Sequence, residues 1–545
     1  MVLFLRFKYL FFILVLCLLA GYPLLHPGLH PTHDGEYHVI RFYEFDKTLR
    51  DGDWYPRWAP DLNNGYGVPL FNYVYPLPNY IASFFHIFGV SFIDAFKLNM
   101  FLALVIGAVF FYLWTRMFWG NLGGVVSAIF YTYAPYHFVD IYIRGSVGEV
   151  WALAFFPAFL WCITGFFQKK KAVFAVFSGV FLSLIIFSHN ILALMFMPFS
   201  LSYIGIFIYR RGDRKYLLLN TLYIILLGFG LSAVFWFPAL SEIQYVTGLQ
   251  IYDIKNSFPE FYQLLIPSWG SGFSGGTLEG QMSFQIGVAN LLVIIASMGS
   301  IVVFLRKKDR YNFRIIIFFF SWFTFVIFLM LKVSLPIWQY VPFMDYFQFP
   351  WRFLSLAILI SSFLAGSITT IFNNSKIGAI GFVLFAVMVS IGYAKPAYYH
   401  NRNDLYYITR SNFIDGTNSP GDLFNTIWFN RELKKQSEKA TIVHGKIIEA
   451  TIRPTMYMLT LFLESESSIT VNTAYFPGWE AFVDKKEVKV MSNRNGLISF
   501  LAPAGIHLIE VQFKDTPVRR FGAFLSIASF FSIFFYSFLK LRGII

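Results

Sequence analysis

The chain has 545 residues, of which 57% are hydrophobic, 21% aromatic and only 13% charged. Soluble domains usually carry about 25% charged and about 45–50% apolar residues. A soluble fold has too little interior to bury this much apolar surface, so the composition excludes soluble, disordered and fibrous proteins. The sequence predicts a polytopic α-helical membrane protein, and the formal charge of +13 is assigned to membrane orientation, with no nucleic-acid partner.

Twelve windows of mainly apolar residues are long enough to cross a bilayer as helices, which takes about 20 residues each. They lie at 9–25, 98–117, 122–139, 149–167, 171–188, 191–209, 216–238, 285–305, 314–331, 352–372, 376–393 and 519–541. We therefore expect about 12 transmembrane helices.

Short basic segments set the predicted orientation. With the N-terminus in the cytoplasm, the segments rich in Lys and Arg between these windows all fall on the cytoplasmic side, as the positive-inside rule requires. They are Arg6 with Lys8, Arg116, Lys169–Lys171, Arg210–Lys215, Arg306–Arg314, Lys376, and Lys540 with Arg542. We expect a multi-pass protein of the cell membrane whose N- and C-termini are both cytoplasmic.

The chain divides into three predicted parts. Residues 1–393 form a transmembrane domain with a long first outer loop at 26–97, residues 394–518 form a polar outer block, and residues 519–545 carry the last helix. Within the outer block, turn residues separate five runs of strand length. These are Thr441–Ala450, Met456–Leu463, Ser468–Ala474, Leu497–Leu501 and His507–Phe513. We expect an extracytoplasmic β-sandwich.

Aromatic residues are concentrated in this outer block. They are Tyr475, Phe476, Trp479 and Phe482. They either form the core of the sandwich or face the functional site, where their rings would stack on an acceptor glycan. A turn at Pro477-Gly478 makes Trp479 the residue that we expect to be most exposed.

The densest polar cluster follows the first predicted helix and comprises His33, Asp34, Glu36 and His38. Carboxylates near a membrane surface act as general bases or hold a divalent cation, and His can share either task. Three alternatives stay open. Asp34, Glu36 and His38 hold a Mg²⁺ or Mn²⁺ ion, Asp34 is a base that needs no metal, or the cluster is a solvated loop without chemistry.

Further polar side chains are expected at the same outer face, next to aromatic residues. They are Arg144, Glu149, His189, Glu242, Gln348 and Arg352. Each alone is typical of an interface anchor at a helix end, but together they indicate a substrate-binding cleft at the membrane surface. Because a guanidinium binds phosphate in a bidentate manner, either Arg144 or Arg352 is the predicted phosphate ligand.

Several motifs resemble the landmarks of a known group of bacterial membrane proteins, the YfhO-like and "6-pyruvoyl-tetrahydropterin synthase-related" proteins. They are His33-Asp34-Gly35-Glu36, Trp54-Tyr55-Pro56-Arg57-Trp58, Ser188-His189-Asn190, Gln348-Phe349-Pro350-Trp351-Arg352-Phe353, and Tyr475–Asp484 with Ala502-Pro503-Ala504-Gly505. One helix followed by a long outer loop that opens with an acidic motif also resembles the GT-C class of membrane glycosyltransferases. That resemblance implies a polyprenyl-phosphate sugar donor, with Asp34 as base or metal ligand near the acceptor and Glu36 as the second acid.

The sequence supports two hypotheses. The first is an inverting glycosyltransferase that moves a sugar from a polyprenyl-phosphate donor to a glycan, lipid or protein acceptor on the outer face of the cytoplasmic membrane. Its expected catalytic residues are Asp34 and Glu36. The alternative is a transporter, flippase or scaffold for lipid-linked polysaccharide, which would perform no chemistry.

Overall fold

The structure is a computed structural model that describes residues 2–209, 212–248, 254–273, 278–373, 375–409, 423–435 and 437–542, without the side chains of residues 2–6 and 541. Arg6, Arg210 and Arg211 of the predicted inner segments therefore lie outside the described residues or side chains. The helices are α1 Val2–Gly21, α2 Gly35–Arg50, α3 Leu77–Ile87, α4 Phe92–Thr132, α5 Pro135–Phe138, α6 Val147–Lys169, α7 Ala172–Ser188, α8 Asn190–Ile208, α9 Arg214–Leu231, α10 Ala233–Ser241, α11 Phe261–Leu265, α12 Val288–Arg306, α13 Arg310–Met330, α14 Leu335–Tyr340, α15 Leu354–Ser367, α16 Lys376–Ser390, α17 Asp404–Ile408 and α18 Pro517–Leu541.

Ten helices within the described ranges are long and apolar enough to cross a membrane, and α7 is a shorter apolar helix. One of the ten, α4, has 41 residues, about 60 Å if straight, which is twice the thickness of a bilayer core. It does not run straight, because Gly120 adopts φ 70° and ψ −175°. The rings of Phe111 and Tyr131 consequently stack at 4.2 Å. The helix folds back at Gly120 and supplies two antiparallel crossings. These two, the nine other long helices and the shorter α7 add up to twelve crossings within the described residues, the number expected from the sequence.

The protein is thus a polytopic helical membrane protein. Two loops expected on the cytoplasmic side meet in the structure, where Lys170 Nζ lies 2.7 Å from an Asp213 carboxylate oxygen. The first outer loop and the β-strands lie at the other end of the bundle. Asn72 of that loop and Thr516, which follows the last strand in the chain, both bind Glu242. Glu242 directly follows α10, whereas Asp213 directly precedes α9. The cytoplasmic placement of the termini stays a prediction.

The first outer loop is ordered by two helices and by backbone hydrogen bonds. Helices α2 and α3 lie within it, and the N–H groups of His33 and Asp34 donate to the carbonyls of Ile143 and Arg144 at 2.9 and 2.8 Å. Gly145 adopts a φ of +66°, and a Cβ there would lie 2.3 Å from Thr32 Oγ1. The start of α2 is therefore held directly against the segment that precedes α6.

The outer block contains two antiparallel sheets, in agreement with the expected β-sandwich. One sheet has the order β1-β4-β8-β7 and the other has the order β2-β3-β9-β5-β6. The strands are β1 Ala440–Ile442, β2 Gly445–Ile452, β3 Met456–Leu463, β4 Ser467–Ala474, β5 Trp479–Val483, β6 Lys486–Val488, β7 Met491–Ser492, β8 Leu497–Ala502 and β9 Gly505–Phe513. Alternate residues along β3 and β5 are buried, as expected where one face of each sheet packs on the other.

The expectation that Trp479 is the most exposed aromatic residue is wrong. Its side chain is only 4% exposed. It stacks on Tyr457 at 5.3 Å and meets the edge of Trp58 at 5.4 Å. Trp58 and Tyr73 of the first outer loop also belong to the core of the sandwich, so the packing of the β-strands continues into that loop.

A buried ionic network joins the strands, the last helix and the first outer loop. Arg519 Nε lies 3.0 Å from Glu242, and the side chains of both residues are almost fully buried. The same carboxylate accepts hydrogen bonds from Asn72 at 2.9 Å and Thr516 at 2.7 Å. Arg57 extends the network by donating to Asn72 at 3.0 Å. Because a buried charge must be paired, these contacts fix the position of the sandwich.

This network makes a prediction about stability. The substitution Glu242→Gln keeps the side-chain shape but removes the counter-charge of Arg519. Because the pair is buried, we expect the free energy of unfolding to fall by about 3–5 kcal/mol, measured by denaturation in mild detergent with tryptophan fluorescence as the signal. The control Glu480→Gln breaks the more exposed pair with Lys514 and should cost about 1 kcal/mol or less. Equal losses in the two variants would contradict this account.

Candidate functional site

The candidate site lies at the outer ends of the two most enclosed spans. The spans Val147–Lys169 and Pro350–Thr370 are each 94% buried inside the protein. Glu149 lies in the first turn of α6, and Arg352 lies two residues before α15. Ionisable groups at such positions have no lipid headgroup or bulk water beside them, so they must neutralise one another.

Glu149 binds Arg144 through both carboxylate oxygens. The two terminal nitrogens of Arg144 donate to the two oxygens of Glu149, each at 2.6 Å. Arg144 also donates to Asp140 at 2.5 Å, and the hydroxyl of Tyr136 donates to Glu149 at 3.0 Å. Asp140 and Arg144 both lie in a turn of π-helix, Val139–Arg144, a geometry frequent at functional sites.

Arg352 approaches the same carboxylate from another part of the chain. Its Nε lies 3.2 Å from a Glu149 oxygen, and its Nη1 donates to the Phe347 carbonyl at 3.1 Å and to Gln348 Oε1 at 2.6 Å. Gln348 has φ 63° and ψ −45°, a strained conformation for a residue other than glycine. Its contact with Arg352 helps to hold that conformation.

The ring of Trp351 lies against both arginines. The Arg144 guanidinium lies 4.7 Å from the centroid of its ring, and the Arg352 guanidinium lies 6.0 Å away. Both distances are within the range of a cation–π interaction. The indole thus stabilises the positive charges of Arg144 and Arg352, whose buried side chains are not hydrated.

Asp34 begins α2 beside this cluster. Its side chain is half-buried, and its electrostatic partners are Arg144, Arg41 and His33. Burial raises the pKa of Asp34, against the opposing pull of the two arginines. A carboxylate with a raised pKa at the entrance of a charged cluster suits a general base.

The structure turns Glu36 away from Asp34, whereas His33 lies close enough to act on the charge of Asp34 but makes its own contacts with another segment. Glu36 faces the segment after the eleventh span, with its Oε1 4.0 Å from His400 Nε2. His33 bonds to the Ser271 carbonyl at 2.9 Å and stacks on Phe273 at 4.9 Å. Two residues apart at the start of a helix, Asp34 and Glu36 point in different directions, so they are not a converging pair.

The two other predicted histidines are buried near the cluster. His189 lies 3.8 Å from Glu149, and its Nδ1 accepts a hydrogen bond from the Leu192 N–H at 3.2 Å. Close packing brings His189 there, because a Cβ on Gly148 would meet the Ser188 carbonyl oxygen at 2.5 Å. His38 packs between aromatic rings, and burial lowers its pKa well below the ordinary value.

The structure places Glu242 elsewhere, in the network with Arg519. Of the predicted substrate-binding residues, it therefore gathers Arg144, Glu149, His189, Gln348 and Arg352. Within the described ranges, no group of three or more His, Cys, Asp or Glu residues could hold a metal ion. Asp34, Glu36 and His38 accordingly do not form such a group in the structure.

Four residues of the site were not expected from the sequence. They are Arg41, Tyr136, Asp140 and Trp351. Arg41 follows Asp34 by seven residues, which is two helical turns and therefore the same face. Asp140 precedes Arg144 by four residues, the spacing of a helical ion pair. A helical interpretation of these two segments would have found both.

An apolar groove opens beside the cluster. It has a volume of about 230 Å³, and its lining includes Leu182, Ile186, Asn190, Leu194, Trp236 and Tyr346. Asn190 follows His189 in the chain, and Tyr346 directly precedes Phe347, whose carbonyl binds Arg352. The groove is therefore lined in part by chain neighbours of the cluster residues.

The chain is similar to known proteins over part of its length. An uncharacterised protein of Lactococcus lactis subsp. cremoris (strain MG1363) is 26% identical over 266 residues, which are 46% of this chain and 42% of that protein. The chain thus spans less than half the length of this relative. The solved oligosaccharyltransferase of Archaeoglobus fulgidus, tethered to an acceptor peptide, is 14% identical, with a TM-score of 0.44 over 74% of this chain and 57% of that one.

The family model of the 6-pyruvoyl-tetrahydropterin synthase related domain, described as a membrane protein, matches residues 71–397. This range contains Arg144, Glu149, His189, Gln348 and Arg352, whereas Asp34 precedes it. Because the match covers more than half of the chain, the protein belongs to the 6-pyruvoyl-tetrahydropterin synthase-related family of membrane proteins.

Proposed function

We propose that the protein is a membrane glycosyltransferase in which Asp34 is the general base. The observation that carries the proposal is the position of Asp34, half-buried at the outer entrance of the Arg144–Glu149–Arg352 cluster, with a pKa raised by burial. In this proposal the acceptor hydroxyl approaches the carboxylate from the outer side. Catalytic bases need a pKa raised towards the working pH, which burial supplies here.

The donor is a sugar linked to a polyprenyl phosphate. Its isoprenoid chain would occupy the apolar groove lined by Trp236 and Tyr346. Its phosphate would bind Arg352, since Arg144 is already neutralised by Glu149 and Asp140 at 2.5–2.6 Å. Arg352 has one carboxylate partner, at 3.2 Å, and two neutral acceptors. It therefore retains more positive charge for a phosphate than Arg144 does.

The proposed step is an inverting displacement. Asp34 accepts the proton of the acceptor hydroxyl as the acceptor oxygen bonds to the anomeric carbon. The bond between that carbon and the phosphate oxygen breaks, and its electron pair leaves with the polyprenyl phosphate. Arg352 stabilises the negative charge that develops on the phosphate. The acceptor is a glycan, lipid or protein on the outer face of the cell membrane. In this orientation both termini of the glycosyltransferase lie in the cytoplasm.

The proposed base makes a prediction about turnover. We expect Asp34→Asn to lower turnover by about 10²–10⁴-fold, because the reaction loses its base. Turnover is measured with purified protein in nanodiscs as the release of polyprenyl phosphate from a radiolabelled polyprenyl-phosphate hexose. The control Asp484→Asn, an exposed residue of the β-sandwich, should retain activity, and Glu36→Gln should lose far less than Asp34→Asn. Full activity of Asp34→Asn would refute the assignment. If the wild type releases no polyprenyl phosphate but moves the lipid across the bilayer, the result would favour a flippase.

Stability separates this role from a structural one. Because burial raises the pKa of Asp34, the ionised carboxylate is less favourable in the folded protein than in the unfolded chain at neutral pH. The neutral Asn removes that cost. We therefore expect Asp34→Asn to unfold at the same temperature as the wild type or at a higher one at pH 7, and a clear decrease would indicate a structural residue.

The raised pKa also predicts the pH dependence of the rate. The carboxylate must be ionised to accept a proton, so kcat/KM should fall as the pH drops through the pKa of Asp34. The inflection should lie above 3.8, the ordinary value for an aspartate, and should be absent from the residual activity of Asp34→Asn. An inflection at or below 3.8 in the wild type would contradict the proposed base.

Removal of metal tests the remaining alternative. Asp34, Glu36 and His38 do not converge in the structure, and their partners differ. We therefore expect EDTA to leave the transfer rate unchanged, measured in the same nanodisc assay before and after dialysis. A loss that Mg²⁺ or Mn²⁺ restores would show that a cation takes part.

A further inference from the structure

A second polar cleft lies on the outer face, between the first outer loop and the β-sandwich. Asp51, Gly52, Asp53, Tyr55 and Arg57 line one wall, and residues of the β-sandwich and the segment after it line the other, namely Arg453, Thr455, Met456, Gln512, Phe513, Lys514 and Asp515. Its volume is about 330 Å³, within the range of roughly 300–1,000 Å³ typical of pockets for small molecules. The proposed transfer reaction uses none of its residues.

Two ion pairs across the cleft fix the distance between its walls. Arg453 Nε lies 2.9 Å from the Asp51 carboxylate, and a second nitrogen of Arg453 donates to the Asp51 carbonyl at 2.9 Å. Arg57 Nε lies 3.1 Å from Asp515, and the Arg57 side chain is 3% exposed. The cleft is thus formed before any ligand binds, which lowers the entropy cost of binding.

The charges that line the cleft are balanced. Three carboxylates, from Asp51, Asp53 and Asp515, face three cations, from Arg57, Arg453 and Lys514. A net charge near zero favours neither an anion nor a cation. Side chains that offer donors and acceptors side by side instead suit a ligand with many hydroxyl groups, since each hydroxyl both donates and accepts.

Tyr55 supplies an unused polar group in this lining. Its side chain is 8% exposed, and its Oη has no hydrogen-bond partner within the described part of the chain. A buried hydroxyl without a partner is costly, so a ligand that bonds to it gains that energy back. The neighbouring Asp53 is partly buried, and this burial raises the pKa of its carboxyl.

Trp54, which lies in the chain between the lining residues Asp53 and Tyr55, offers a flat apolar surface next to the cleft. It is 67% exposed and meets the ring of Tyr55 at 5.8 Å, edge to face. Its backbone carbonyl accepts a hydrogen bond from the Tyr80 hydroxyl at 2.6 Å, which fixes the backbone beneath the indole. An exposed, fixed indole beside a polar cleft is suited to stack on the apolar face of a sugar ring.

We propose that this cleft binds an uncharged glycan, separately from the Asp34 site. Trp54 stacks on one sugar ring, and the Tyr55 hydroxyl with the Asp53 carboxylate binds its hydroxyl groups. The proposal does not depend on the transfer reaction, because the ligand class follows from the balanced charge, the unpartnered Tyr55 hydroxyl and the exposed indole.

Binding is measured with the full-length protein in lipid nanodiscs, by calorimetric titration. The probes are neutral glucan, mannan and chitin oligosaccharides, with oligogalacturonate and inorganic phosphate as anionic probes. We expect a neutral oligosaccharide to bind and Tyr55→Phe to weaken it roughly three- to tenfold, the effect of one lost hydrogen bond. Trp54→Ala should weaken it further. The matched control Tyr398→Phe alters an exposed tyrosine outside the cleft and should bind as the wild type does.

Three results would overturn the proposal. The first is that none of the neutral oligosaccharides binds. The second is that a neutral oligosaccharide binds the wild type and Tyr55→Phe with equal affinity. The third is that oligogalacturonate binds more tightly than the neutral oligosaccharides do. Asp34→Asn is titrated in parallel and should bind the glycan normally. Failure of the transfer assay with intact glycan binding would reject the proposed function and leave the cleft standing, and the converse result would reject the cleft alone.

Discussion

Glu149 is buried in the first turn of α6, and its two carboxylate oxygens hold guanidinium groups from two other parts of the chain, Arg144 at 2.6 Å and Arg352 at 3.2 Å. In an enclosed apolar environment such charges cannot be hydrated, and removing one partner of a buried pair typically costs about 3–5 kcal/mol. Every segment that carries one of these charges is therefore held to the other two. The outer ends of the π-helical turn, α6 and α15 are locked around a single carboxylate.

This constraint decides what the remaining polar groups can do. The guanidinium of Arg144 is fully paired with Glu149 and Asp140. These ion pairs fix the position of the Arg144 backbone, whose carbonyl accepts a hydrogen bond from the N–H of Asp34. Asp34 itself lies beside these ion pairs, close enough for their charges to act on it, and its side chain is half-buried. A group in that position can exchange protons with a ligand while its surroundings stay fixed, which is the division of roles expected between a reactive group and its support.

Properties that act along the chain were predictable from the sequence. Apolar windows marked the twelve crossings even where α4 is continuous, because Gly120 reverses the chain inside the helix. Runs of strand length identified β3, β4, β8 and β9 of the sandwich, whereas β1 and β2 were expected as a single strand and β5, β6 and β7 were not expected. The sequence did not show which residues on the same side of the membrane lie next to each other. Glu242 was assigned to the same face as Glu149, which does not reveal that it pairs with Arg519, and Trp479 is buried by Trp58, more than four hundred residues earlier.

The first outer loop connects the two ionic networks. Its start is bonded to the backbone beside Glu149 through Asp34, and Asn72 near its end donates to Glu242 at 2.9 Å. Between these points α2 runs for 16 residues, a rigid length of about 24 Å. It has Asp34 at its first end and Asp51 of the glycan cleft at its other end. A single sugar cannot contact both, whereas a chain of several sugars can lie along the helix. If both proposals hold, the loop therefore favours a polymeric acceptor, held at one end and extended at the other.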